Sequence, residues 1–236
     1  MRIEELKNYG KGYADWTDAE NKQVEKAFSQ GVKRQLGIIG SIKLIWKVRG
    51  ETGQMKHHDW SMLREWGLTD QKLLNGSIEV VALAKALFDM VGTERATGML
   101  KEMMEKEVYK ARASMQPTAS DFKQFEDPFA ALRQYFKAYA AAESSAGIAK
   151  VVITEESDNV MSSKCDRCAM LEIAKAFGNP YLIYPGVCYG DEVLDARLAA
   201  ALGFKFSSAS MATGAPECIV RIERTFSPGG TKGLKA

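Results

Sequence analysis

Four cysteines and two adjacent histidines are the residues whose chemistry says most about this sequence. The cysteines are Cys165, Cys168, Cys188 and Cys218, all in the last third of the 236-residue chain. A small secreted domain would join such a set as disulfides. A chain of this length does not need them, so metal binding, catalysis and simple burial are the alternatives. Because His57 and His58 are the only histidines, a zinc site built from several histidines is excluded.

Cys165 and Cys168 are predicted to lie in the first turn of one helix over 165–177, with Ser163 as its cap. A helix N-terminus lowers the pKa of a thiol there, and Arg167 adds positive charge. Three interpretations stay open. A thioredoxin-like redox pair would follow a parallel strand, which the pattern does not predict. A metal site would need a second Cys-x-x-Cys, and the remaining possibility is that the thiols only pack.

Cys188 lies in YPGVCYGDE, which is predicted to be a loop leading into a helix over 191–202. A thiol just ahead of a helix N-terminus can be held as thiolate, and backbone N–H groups there can bind developing negative charge. Asp191 could orient water or a substrate amine. The alternative is that Asp191 only caps the helix and Cys188 only fills a gap.

Cys218 and the two histidines are weaker candidates for the lining of a substrate pocket. Strand alternation in ECIVRI places Cys218 on the same face as Ile222, which is the more apolar face and is predicted to point inward. His57 and His58 follow a polar stretch that is predicted to be a loop over 49–58. Adjacent loop residues point in different directions, so at most one imidazole should serve a single site.

The pattern predicts an α+β protein with a helical N-terminal part, 1–146, and an α+β part, 147–226, that share one core. The tail, 227–236, is Gly- and Lys-rich and is predicted to be disordered. Helices are predicted over 17–30, 32–48, 60–66, 77–90, 93–117 and 129–143. Strands are predicted over 148–154, 160–163, 204–211 and 217–226, forming an antiparallel sheet of about four strands with helices on one face.

The C-terminal third resembles the L-2-amino-thiazoline-4-carboxylic acid hydrolase family. The residues that carry the resemblance are a cysteine at Cys165 or Cys168, the Cys-x-x-Asp of Cys188 and Asp191, and the segment SMATGAPECIVRI that contains Cys218. The family has Cys-Pro at its first cysteine, whereas here Asp166 follows Cys165 and Ala169 follows Cys168. The resemblance implies a cysteine-dependent hydrolase that opens a C–N bond in a small cyclic amide or amidine, such as a thiazoline carboxylate.

In that reading Cys188, Asp191 and Cys165 are the catalytic candidates, and Cys168, Cys218, His57 and His58 line the substrate pocket. Alternatively, Cys165 or Cys168 is the nucleophile and Cys188 lines the pocket. No cofactor or metal is then required. A fainter likeness to 4-vinyl-reductase-type ligand-binding domains implies instead a small-molecule sensor without turnover. A third alternative is a four-cysteine protein that binds zinc or an iron–sulfur cluster.

Composition limits the partners. With 32 Lys and Arg against 30 Asp and Glu, the net charge of +2 predicts neither nucleic acid nor a membrane as partner. The N-terminus MRIEELKNYG lacks the basic and apolar regions of a signal peptide, so a cytoplasmic protein is expected. A small-molecule substrate is the predicted partner, and self-association is compatible with a helix-rich chain.

Overall fold

The computed structural model describes residues 1–55 and 57–225 as an α+β fold, in agreement with the sequence prediction. The predicted tail, 227–236, and Phe226 lie outside the described residues. The helices are α1 (Asp18–Met55), α2 (Ser61–Glu65), α3 (Gln71–Val91), α4 (Thr93–Met103), α5 (Tyr109–Ala113), α6 (Ala119–Phe122), α7 (Pro128–Ser145), α8 (Ala169–Ala176) and α9 (Tyr189–Ala201). The strands are β1 (Ala149–Glu156), β2 (Val160–Cys168), β3 (Phe204–Ala209) and β4 (Cys218–Arg224).

The long helix α1 replaces two predicted helices and a predicted loop. It begins at a capping box, in which the Glu20 N–H donates to the Thr17 hydroxyl and the Thr17 N–H donates to the Glu20 carboxylate. Gly37 interrupts it with a φ of 68°, which a glycine adopts without steric penalty. The predicted loop over 49–58 is wrong for its first residues, because the helix continues to Met55. This stretch is polar but contains no proline, so nothing in it stops the helix.

Short stretches of π-helix extend α4 and precede α9. Residues Met104–Val108 form a π-helix that joins α4 to α5, as expected for one long helical segment before Pro117. Residues Tyr184–Cys188 form a second π-helix directly before α9. Wide turns of this kind are rare in α-helical segments and often occur at functional sites. The two π-helices therefore mark the part of the fold where a site should be sought.

The four strands form one antiparallel sheet in the order β1-β2-β4-β3. β2 is a central strand that pairs with β1 on one side and β4 on the other, and its pairing extends to Cys168. The predicted helix over 165–177 therefore begins too early. Residues 164–168 satisfy their backbone groups in the sheet, and α8 begins only at Ala169.

Two groups of buried apolar side chains form the interior. The larger combines Leu87 and Met103 of the helical part with Ile173 and Leu182 of the C-terminal part. The smaller combines Phe122, Phe129 and Leu132 with Met161 and Ile222 of the sheet. Ile222 is thus buried as the strand alternation predicts. Within the described residues, none of the helices has the length and apolar character needed to span a membrane.

Candidate functional site

The four cysteines, here called the thiol cluster, come together at one end of the sheet. Cys165 on β2 lies directly opposite Cys218 on β4, and Cys168 closes β2. The Cys218 Sγ accepts a hydrogen bond from the Met211 N–H at 3.1 Å. Cys168 and Cys218 lie close enough to Cys188 for their charges to raise its pKa. Residues that are up to 53 positions apart in sequence are therefore neighbours in the fold.

Cys168 is a thiol whose surroundings lower its pKa. Hydrogen bonding from the Cys165 side chain lowers the pKa of Cys168, and the Leu171 and Met170 N–H groups at the start of α8 act in the same direction. Conversely, the hydrogen bond with Cys168 and burial raise the pKa of Cys165. The Cys165 Sγ also lies 2.9 Å from the Arg167 carbonyl oxygen. The contact between the two thiols therefore favours ionisation of Cys168 and protonation of Cys165.

Cys188 differs from the prediction in structure and in charge. It ends the π-helix over Tyr184–Cys188 and does not lie in a loop. The next N–H, that of Tyr189, already donates to the Tyr184 carbonyl, so it is not free to bind an oxyanion. Burial raises the pKa of Cys188 to about 12, although a hydrogen bond from Ser210 opposes this effect. The surroundings of Cys188 therefore disfavour the thiolate that the sequence analysis expects there.

Ser210 lies between two of the thiols and was not singled out from the sequence. Its side chain is buried, accepts a hydrogen bond from the Ala212 N–H, and lies 3.9 Å from the Cys218 Sγ. It also hydrogen-bonds to Cys188. Serines are common in turns, and no spacing in the sequence links Ser210 to Cys188.

A second set of side chains, here called the carboxylate cluster, surrounds the buried Arg112. Arg112 Nη2 donates to Asp191 Oδ1 at 2.5 Å and to the Tyr13 hydroxyl, which in turn donates to Asp191. The Tyr13 N–H donates to Glu143 Oε1 at 2.5 Å. Asp191 lies in the first turn of α9 and is not the cap that was predicted, because the helix already begins at Tyr189.

The carboxylate cluster contains more acidic side chains than basic ones. Besides Asp191 it includes Asp195, one helical turn further along α9, and Glu143 on α7. Burial, together with the charge of Asp191, raises the pKa of Glu143 to about 8 and that of Asp195 to about 8. Burial also raises the pKa of Asp191, whereas Arg112 opposes the shift. Glu143 and Asp195 therefore carry protons at neutral pH, and Asp191 is the partner of Arg112.

Asp191 connects the two clusters. Its charge raises the pKa of Cys168 and of Cys188, so the carboxylate lies near both thiols. Although it lies deep in the fold, 39% of its side-chain surface remains accessible, compared with 9% for Arg112. An accessible carboxylate among groups with shifted pKa values is a candidate functional residue.

Among the residues that the sequence did not reveal, Arg112, Tyr13 and Glu143 come from distant parts of the chain. Asp195 could have been found, because residues four apart on a helix share one face with Asp191. Gly190 allows the helices to approach closely here: a Cβ at this position would lie 3.1 Å from the Met104 Sδ and 3.2 Å from Arg112 Nη1.

The two histidines are not joined to the thiol cluster by any contact between described residues. Both side chains are exposed just after α1, and the His58 ring lies 4.3 Å from the Trp60 ring between centroids. Their predicted part in substrate binding stays a prediction.

Within 1–55 and 57–225, no three side chains of His, Cys, Asp or Glu lie close enough together to hold one metal ion. Comparisons with protein-family models, with curated proteins and with solved structures gave no match.

Proposed function

We propose that this protein is a cysteine-dependent hydrolase that opens a C–N bond in a small cyclic amide or amidine. The observation that carries the proposal is Cys168, whose thiol lies at the start of α8 with a lowered pKa and with Cys165 beside it. A nucleophilic cysteine needs such an activated thiolate. The proposal keeps the reaction class that the sequence resemblance implies and moves the nucleophile from Cys188 to Cys168.

In the proposed reaction the Cys168 thiolate attacks the electrophilic carbon of the ring and forms a C–S bond. The ring C–N bond then breaks, and the leaving nitrogen takes the proton that Cys165 holds. Water adds to the carbon of the resulting thioester or thioimidate. One of the water protons returns to Cys165, and the C–S bond breaks to restore the Cys168 thiolate.

Asp191 has two roles in this proposal. It can accept hydrogen bonds from an amide or amidine nitrogen, since part of its surface is accessible. Arg112 and Tyr13 hold it in place from the side away from solvent. Cys188 and Cys218 then line the pocket and are not the reacting groups.

The test is turnover of 2-aminothiazoline-4-carboxylate and a panel of small cyclic amides, with the gain of one water followed by mass spectrometry. Cys168→Ser should abolish turnover, whereas Cys188→Ser should reduce it far less, with unchanged circular dichroism for both. If Cys188→Ser is inactive and Cys168→Ser is active, the assignment of the nucleophile is wrong.

The same experiment separates the alternative functions. A sensor module would bind a panel member, seen by isothermal titration calorimetry, without forming product. A four-cysteine metal protein would contain about one zinc ion or one iron–sulfur cluster per chain by elemental analysis. Either result would contradict the hydrolase proposal.

A further inference from the structure

One face of α1 is apolar and exposed over 38–46. The exposed fraction is 72% for Ile39, 68% for Trp46 and 63% for Ile38, and Ile42 and Ile45 are also more than half exposed. These five residues, here called the α1 ridge, follow the 3-4 spacing of one helix face, while Leu44 on the opposite side is buried. Single exposed apolar residues are ordinary, but a continuous patch marks an interaction surface.

A groove beside the ridge enlarges this surface. It has a volume of about 970 Å³ and lies between α1 and α3, lined by Val32, Ile42 and Leu83 among others. Ile38, Ile42 and Ile45 belong to both the ridge and the groove wall, so the two form one apolar area.

The charge of α1 around the ridge is positive, although the exposed Glu79 of α3 also lines the groove. Residues 32–50 contain five basic residues and no acidic residue, namely Lys33, Arg34, Lys43, Lys47 and Arg49. Arg34 is paired with Glu102 and Glu107, and Lys47 with Glu51 and Asp89. Lys33, Lys43 and Arg49 are exposed and form no ion pair with any described residue. The Arg49 guanidinium lies 5.7 Å from the centre of the Trp46 ring.

We propose that the α1 ridge docks this protein on the surface of an anionic lipid bilayer, with its isoleucines and Trp46 in the interfacial region. Exposed isoleucines, an interfacial Trp and flanking cations are the features of a helix that lies in the plane of a membrane surface. Charge decides between this partner and a second copy of the chain. A two-fold interface on the ridge would bring the same uncompensated cations together, whereas an anionic surface complements them. The proposal departs from the expectation of no membrane partner, which was drawn from the net charge, because the local charge over 32–50 is positive. It does not depend on the proposed hydrolase activity.

The contribution of the cations is tested by sedimentation of the full chain with two kinds of vesicle. One contains phosphatidylcholine alone, and the other also contains phosphatidylserine. Binding is expected only with phosphatidylserine, and it should weaken as salt is raised. The double variant Lys43→Ser/Arg49→Ser should lower the partition coefficient roughly 30-fold, since each cation near an anionic surface contributes about 1 kcal/mol. Lys110→Ser/Lys123→Ser removes the same charge from exposed residues elsewhere and should change it little.

The apolar part is tested by Ile42→Ser/Trp46→Ser, which should abolish vesicle binding. The matched control is Met62→Ser on α2, which also removes an exposed apolar side chain and should bind normally. Thermal unfolding checks that each variant is folded. Equal binding to neutral vesicles, or none to anionic ones, would overturn the proposal. So would a dimer in sedimentation velocity that only Ile42→Ser/Trp46→Ser dissociates, because the ridge would then be an interface between copies.

Discussion

Arg112 and Asp191 form a partly buried ion pair, with Arg112 Nη2 at 2.5 Å from Asp191 Oδ1, that links α5 to α9. Arg112 comes just after the π-helix over Met104–Val108, and Asp191 just after the π-helix over Tyr184–Cys188. The pair therefore joins the two irregular stretches of the helical framework. It also holds the carboxylate that faces the thiol cluster.

Removing the cation of this pair should destabilise the fold. Arg112→Met leaves Asp191 with the Tyr13 hydroxyl but without its cation, and we expect a loss of about 2 kcal/mol in the free energy of unfolding near pH 7.5. The expected loss is smaller than for a fully buried pair, because part of the Asp191 side chain is accessible to solvent. The loss should shrink in acid as Asp191 takes up a proton. Urea unfolding measures it, with Lys72→Met as the control, because the Lys72–Asp18 pair is exposed and should not affect stability.

The pKa values of Glu143 and Asp195 predict how stability depends on pH. Both are raised to about 8 in the folded protein, from 4.5 and 3.8. Between these limits the folded state binds more protons than the unfolded state, so the free energy of unfolding should fall as the pH rises from about 4 through 8.

Glu143→Gln should remove much of that fall and stabilise the protein at pH 8, because the amide stands in for the protonated acid. Urea unfolding from pH 5 to 8.5 tests this, with the exposed Glu65→Gln as the control. An unchanged slope in Glu143→Gln would show that Glu143 is already ionised at neutral pH.

The thiol pair predicts an order of reactivity. At pH 7 iodoacetamide should modify Cys168 before Cys188, whose pKa of about 12 leaves it protonated. Cys165→Ala removes the donor that favours the Cys168 thiolate, so it should slow that modification several-fold, whereas Cys165→Ser retains a donor and should slow it less. Peptide mass mapping over time measures both rates. Faster labelling of Cys188 in the wild-type protein would contradict the assignment.

Two glycines with the same backbone conformation should differ in their tolerance of alanine. Gly147 has a φ of 72°, and a Cβ there would lie 2.2 Å from the Leu68 backbone nitrogen. Gly203 has a φ of 78° and open space around it. Gly203→Ala should therefore lower the free energy of unfolding by about 1 kcal/mol, from left-handed strain alone. Gly147→Ala should lower it by several times that amount or prevent folding, as urea unfolding or the soluble yield will show.

Local sequence signals predicted most of the secondary structure. Asp127 followed by Pro128 begins α7 where expected, because the cap and the fixed φ of proline act within one turn. The strand alternation also placed Ile222 correctly on the inward face, whereas Cys218 on the same face is half-buried. The start of α3 was placed too late. Asp70 caps the helix, which begins at Gln71, six residues before the predicted beginning at 77.

The largest error concerned Cys165 and Cys168. Ser163 and Asp166 resemble the beginning of a helix, and that local preference was overridden by pairing with β1 and β4 on either side. Such pairing depends on residues far away in the chain. The charged groups around Arg112 also come from distant segments.

The sequence by itself determined the α+β class, the antiparallel arrangement of four strands and the presence of reactive residue types, because these follow from periodicity and capping within a few residues. Only the tertiary structure decided which groups meet. Tyr13, Arg112, Glu143 and Asp191 belong to four different segments, and packing alone brings them together. Burial then sets their protonation. The hydrogen bond from Cys165 favours ionisation of Cys168, whereas burial disfavours ionisation of Cys188.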